Sequence, residues 1–79
     1  MKNKLKSVRK GKGISQSQLA EKIGTDQRIV SRWENGKQTP KPYQMQFIED
    51  YFGVPKEEIF FESFNYKIKL KKLIKWLLT

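Results

Sequence analysis

Apolar residues recur along this chain at helical spacing, in runs of roughly ten residues set apart by glycine and proline. Leu5 and Val8 form an i, i+3 pair that predicts a first amphipathic helix over about 3–10, stopping at Gly11 and Gly13. Ser15 followed three residues later by Gln18 has the spacing of a capping box; Leu19, Ala20 and Ile23 then give a buried stripe, and Gly24 suits the left-handed residue after a helix. Asp26 opens the next helix through its carboxylate, Val30 and Trp33 are its apolar pair, and Asn35-Gly36 closes it. Helices two and three are therefore joined by a very short turn. Pro42 suits the first turn of a fourth helix with the stripe Met45, Ile48 and Phe52, and Gly53 ends it. A fifth short helix over 54–61 starts at Pro55, carries Glu57 and Glu58 in its first turn and ends in aromatics. Five short helices make an all-α fold, and residues 1–61 form one domain.

Two features exceed what such a core needs. Tyr43, Phe47 and Tyr51 lie at i, i+4, i+8 on the fourth helix, rotated away from its core stripe, so a second face awaits a partner subunit or the chain's own tail. Beyond Phe61, residues 62–79 make a basic amphipathic extension. Its stretch 64–70 alternates, with Phe64, Tyr66 and Ile68 on one side, and predicts a short strand. Leu70, Leu73, Ile74 and Leu77 opposite Lys71, Lys72 and Lys75 then predict a helix that can dock on the aromatic stripe. A lone strand is not stable, so 64–70 must pair, most simply with its symmetry mate in a dimer.

Composition narrows the chemistry. A chain of 79 residues and 9.4 kDa, 37% hydrophobic, supports one small core and no large enclosed substrate cavity. With neither cysteine nor histidine, disulfides, thiol chemistry, Cys/His zinc sites and imidazole catalysis drop out, and no cofactor or metal is expected. Glu57 and Glu58 are adjacent and cannot face each other as an acid–base pair, so an enzyme is not expected. The net charge of +9 favours an acidic partner. That charge is segregated. Lys2, Lys4, Lys6, Arg9, Lys10 and Lys12 make residues 1–13 +6; residues 14–61 sum to −1; residues 62–79, with five lysines against Glu62, sum to +4. No apolar run approaches the roughly 20 residues of a transmembrane helix, and the start Met-Lys-Asn-Lys-Leu-Lys has no apolar signal core, so the expected location is the cytoplasm.

Three segments carry a resemblance. Ile14-Ser15-Gln16-Ser17-Gln18-Leu19-Ala20-Glu21-Lys22-Ile23-Gly24, then Val30-Ser31-Arg32-Trp33-Glu34-Asn35-Gly36, then Phe52-Gly53-Val54-Pro55 follow one another as in the phage repressor/Cro-type helix-turn-helix domain, and the chain resembles that family over about 3–61. The resemblance implies a five-helix, lambda-repressor-like fold whose third helix, 27–34, enters the major groove of double-stranded DNA while the second crosses the backbone. With Val30 and Trp33 turned inward, Gln27, Arg28, Ser31 and Arg32 share the outward face as base-contacting candidates; Gln27 suits adenine and Arg28 guanine. Ile29 is expected to pack against helix two rather than touch a thymine methyl. Gln16, Asn35 and Lys37 match phosphate-contacting positions, and Lys10 joins them; capping accounts for Ser15 and leaves Gln16 without a structural role of its own. Arg9 and Glu34 match positions that form an ion pair between helices one and three, which makes Arg9 a structural residue.

The function expected is a sequence-specific DNA-binding transcriptional regulator, a repressor acting as a homodimer on a palindromic operator, with no small-molecule ligand evident. Restriction–modification controllers and antitoxins share this domain. The rival is a membrane-surface or protein-interaction module using Lys69-Leu70-Lys71-Lys72-Leu73-Ile74-Lys75-Trp76-Leu77-Leu78 as a basic amphipathic anchor.

Overall fold

The computed structural model describes residues 3–61, which form five α-helices: α1 Leu5–Gly11, α2 Gln16–Ile23, α3 Gln27–Glu34, α4 Pro42–Phe52 and α5 Lys56–Phe60. The strand and helix expected in 64–77, with Phe64, Tyr66 and Ile68, lie outside the described residues.

Each start has a local cause. The Ser15 hydroxyl accepts from the Gln18 amide (3.0 Å) and the Gln18 side chain accepts from the Ser15 amide (2.7 Å), so the capping box is complete and two of α2's orphan donors are satisfied. Asp26 accepts from the Ile29 amide (3.1 Å) at the head of α3. Gly24 has φ +86°, a conformation that a side chain would strain even though a Cβ would meet nothing within 4 Å. Its amide and that of Thr25 both bond to Ala20 (2.9 Å each), which turns the chain from α2 into α3 within three residues.

The first helix sits differently from its sequence expectation. Asn3 lies ahead of the helix, whose N-cap is Lys4: its Oδ1 accepts from the Leu5 amide (3.0 Å) and its Nδ2 donates to the Trp33 carbonyl (2.7 Å) at the end of α3. At the other end, α1 runs through Gly11, and Gly13, at φ +71°, makes the turn. The Lys4 amide bonds to the Ile59 carbonyl (2.9 Å), tying the entry of α1 to α5.

The core contains Leu5, Leu19, Ala20, Val30, Trp33, Ile48, Phe52 and Ile59, so every helix contributes to one cluster. Ile29 is half-buried against it, as expected from the sequence. Trp33, 1% exposed, is the largest of the fully buried side chains, and its Nε1–H has no hydrogen-bond acceptor among the described residues. The ring therefore contributes by apolar contact while its one polar atom costs stability. Trp33→Ala should lower stability by about 3 to 5 kcal/mol, whereas Trp33→Phe, which trades lost volume against removal of the orphan donor, should stay within about 1.5 kcal/mol. Urea denaturation followed by circular dichroism measures both.

Candidate nucleic-acid interface

The exposed side of α3 is built outward from a buried ion pair. Arg9 Nε meets Glu34 Oε2 at 2.7 Å, with the two side chains 8% and 2% exposed, and Arg9 Nη2 donates to Glu34 Oε1 at 3.2 Å. The remaining guanidinium nitrogen, Nη1, donates to the Ile14 carbonyl (2.7 Å). One side chain of α1 thereby holds both the end of α3 and the loop that leads into α2. A buried pair tolerates desolvation only when its polar atoms are met, as these are.

Two glutamines extend this arrangement to the surface. Gln16 Nε2 donates to Glu34 Oε1 (3.0 Å), and Gln27 Nε2 donates to Gln16 Oε1 (2.6 Å). The sequence reading left Gln16 without structural work; the structure corrects this, because Gln16 bridges the ion pair and the first residue of α3. Neither glutamine is exhausted. An amide carries two N–H donors and an acceptor oxygen, so Gln16 keeps one N–H, and Gln27 keeps one N–H together with its oxygen. Local pattern could not have shown the bridge, since its members lie 11 and 18 residues apart.

Around this line the structure places the other candidates. Arg28 and Arg32 are exposed one turn apart, bordering a shallow depression with Asp26 and Ile29. Ser31 is half-buried, its hydroxyl 3.4 Å from the Asn35 amide nitrogen. Lys37 is exposed beyond the end of α3, with its backbone amide bonded to Arg32 (2.9 Å). Lys10 is exposed on α1, the helix that carries Arg9. Tyr43 and Tyr51 are exposed on α4 and Phe47 is half-buried, stacked on Tyr51 at 6.0 Å.

A second polar network, away from α3, was missed. Glu49 on α4 accepts from the Lys56 amide (2.8 Å), so a carboxylate from one helix serves the first free N–H of α5. The Lys56 ammonium lies 3.5 Å from Glu49 and donates to Gln46 (3.0 Å), and Gln46 donates to both Glu49 and Asp50 (3.0 Å each). The Lys56 backbone donor, then Gln46, hold the Glu49 carboxyl below its ordinary range. Among the described residues no helix is long and apolar enough to cross a membrane.

Two helices joined by a three-residue turn, the second presenting a polar face on a rigid core, define a nucleic-acid-binding module of the helix-turn-helix class. The chain belongs to the helix-turn-helix family of the Cro/C1 type, whose model matches residues 5–59. It is 36% identical over 56 residues to the HTH-type transcriptional activator BcrR of Enterococcus faecalis, a match covering 71% of this chain and 28% of that protein. It is 38% identical over 60 residues to the HTH-type transcriptional regulator MJ0272 of Methanocaldococcus jannaschii, covering 76% of this chain and 91% of that protein. The chain thus spans less than a third of the length of the first relative and nearly all of the second. Both relatives are named as HTH-type transcriptional regulatory proteins.

Two outcomes test this geometry. Glu34→Ala leaves a buried guanidinium without its anion and should cost about 3 to 5 kcal/mol in thermal or urea unfolding, so its DNA affinity must be read below its melting point. For Glu49, a folded pKa lowered from the ordinary value means stability that is fully present above the ordinary carboxylate range and lost as pH falls through the lowered folded value. Glu49→Gln should accordingly flatten the acid limb of a stability–pH curve while leaving the neutral limb's shape unchanged.

Proposed function

We propose that α3 is the recognition helix of a sequence-specific regulator that binds double-stranded DNA in the major groove. The observation that carries this reading is the Arg9–Glu34–Gln16–Gln27 chain, because it fixes an amide at the first residue of an exposed helix and leaves free the two groups that adenine requires. Adenine presents N7 as acceptor and N6 as donor, and Gln27 retains one N–H and its oxygen. Arg28, exposed on the same helix, is assigned to guanine, and Ser31 and Arg32 are assigned to contacts one turn further on. The spare N–H of Gln16, with Asn35, Lys37 and Lys10, is assigned to phosphates, which fix register rather than sequence.

Half-sites for one helix are short, and two heads about 34 Å apart multiply discrimination, which supports a homodimer on a palindromic operator. The alternating stretch 64–70, outside the described residues, is assigned to contact between copies. Repression is the regulatory sense proposed: a bound dimer excludes polymerase by its volume and needs no further group. BcrR is named as an activator, so a reporter fused behind the selected operator decides the sign for this chain.

Binding sites selected from a random DNA pool and titrated at several salt concentrations test the reading. Gln27→Ala should lose about 1 to 3 kcal/mol of discrimination at one base pair, and Lys37→Ala should weaken specific and random DNA alike and flatten the salt slope by about one. Unchanged selectivity in Gln27→Ala would remove α3 from the role of reader. In a double-mutant cycle on the selected site, Gln16→Ala and Gln27→Ala should be coupled by about 0.5 to 3 kcal/mol; strict additivity would mean that Gln16 touches phosphate only. Removing 62–79 should convert dimer to monomer in sedimentation equilibrium.

A further inference from the structure

Opposite its buried residues Met45, Ile48 and Phe52, α4 shows a second apolar face. Tyr43 is 66% exposed, Tyr51 is 36% exposed, and Phe47 stacks on Tyr51. The Lys22 ammonium of α2 lies 5.4 Å from the Tyr51 ring. We propose that residues 70–77 of this chain cover that face in the same molecule, docking Leu70, Leu73, Ile74 and Leu77 on Tyr43, Phe47 and Tyr51. The inference does not rest on DNA binding. It deepens the assignment of the extension by leaving 64–70 alone for contact between copies.

Length, position and charge agree. The aromatic stripe covers eight helical steps, about 12 Å, and the aliphatic stripe covers seven, about 10 Å when helical. Phe61, where the extension departs, borders one cleft with Thr39 and Pro40, directly ahead of the Pro42 start of α4. Nine residues from there to Leu70 reach about 30 Å, roughly twice the length of the 11-residue α4, so the connection imposes no strain. The sequence of α4 has Glu49 and Asp50 and no basic residue, whereas 62–79 carries +4. Asp50, adjacent to Tyr51, bonds to Gln46 and has no basic partner among the described residues, which leaves it for Lys71, Lys72 or Lys75.

Area decides between the chain's own segment and a second copy. Three partly exposed aromatics offer on the order of a few hundred Å², short of the roughly 800 Å² per partner of a stable interface. A tethered segment needs less, because its effective concentration is in the millimolar range and closing a longer loop adds little further cost.

Nuclear Overhauser contacts in the isotope-labelled full-length protein, without DNA, test the proposal. Contacts from the Leu73 and Leu77 methyls to the Phe47 and Tyr51 rings are expected, and they should be missing from the isotope-filtered spectrum of a mixture of labelled and unlabelled chains. In the full-length double variant Leu73→Glu/Leu77→Glu, the ring resonances of Tyr43 and Phe47 should move while the indole of Trp33 stays in place. Contacts seen between labelled and unlabelled chains would overturn the proposal in favour of a second copy. No contact, with ring shifts equal in wild type and variant, would overturn it in favour of solvent or an outside surface. A DNA titration of the same sample reports separately on the function of α3.

Discussion

Everything presented on α3 depends on a single buried ion pair. Arg9 belongs to α1 and Glu34 to the last position of α3, and their contact at 2.7 Å fixes the two helices with all three guanidinium nitrogens donating. Burying two charges is expensive, and hydrophobic replacement of such pairs often leaves stability unchanged or improved. The return here is positional. Glu34 Oε1 is also the anchor for Gln16, and Gln16 is the anchor for Gln27, so a contact inside the domain sets the direction of an amide outside it. Salt bridges at the surface could not do this, because solvent screening and side-chain freedom would blur the position.

Much of the fold was legible because its signals are local. Ser15 with Gln18, Asp26, Gly24, Asn35-Gly36, Pro42 and Gly53 each act within a few residues, and the elements they bound stand where the pattern puts them; α1 and α5 differ by a residue or two, α5 being Lys56–Phe60 with Pro55 as its N-cap instead of 54–61. The exception at α1 has the same origin seen from the other side. Asn3 resembles a first helical residue when only its neighbours are considered, but its amide nitrogen is held by the Trp33 carbonyl 30 residues away. The exposure of Gln27, Arg28 and Arg32 followed from subtracting the buried Val30 and Trp33, which periodicity gives directly, whereas Ser31 is half-buried. The tasks of Gln16 and Glu49 did not follow. Both are polar side chains whose partners lie on other helices, and no periodicity encodes the meeting of two amides or of a carboxylate with a distant N–H.

The division of labour along the chain is also physical. The body formed by 14–61 sums to −1, so its net charge alone gives it little attraction for a polyanion. The bases are concentrated before and after it. Under the proposed function, attraction and discrimination fall to different residues, and the exposed bases can change without repacking the core of Leu5, Leu19, Val30, Trp33, Ile48 and Ile59.

The Lys4–Ile59 backbone bond and the cleft shared by Asn3 and Phe61 bring the two ends of the folded unit side by side. The chain therefore enters and leaves the described body, residues 3–61, at one place instead of at opposite poles. A sphere with +9 spread evenly would be pulled toward DNA but not turned. Bases tethered where those two ends meet would add an electric dipole to the net charge, and a dipole in the field of a polyanion experiences a torque. Under the proposed DNA binding, such a torque shortens the orientational search before any base is touched, an advantage that fades as salt shrinks the Debye length below the width of the domain.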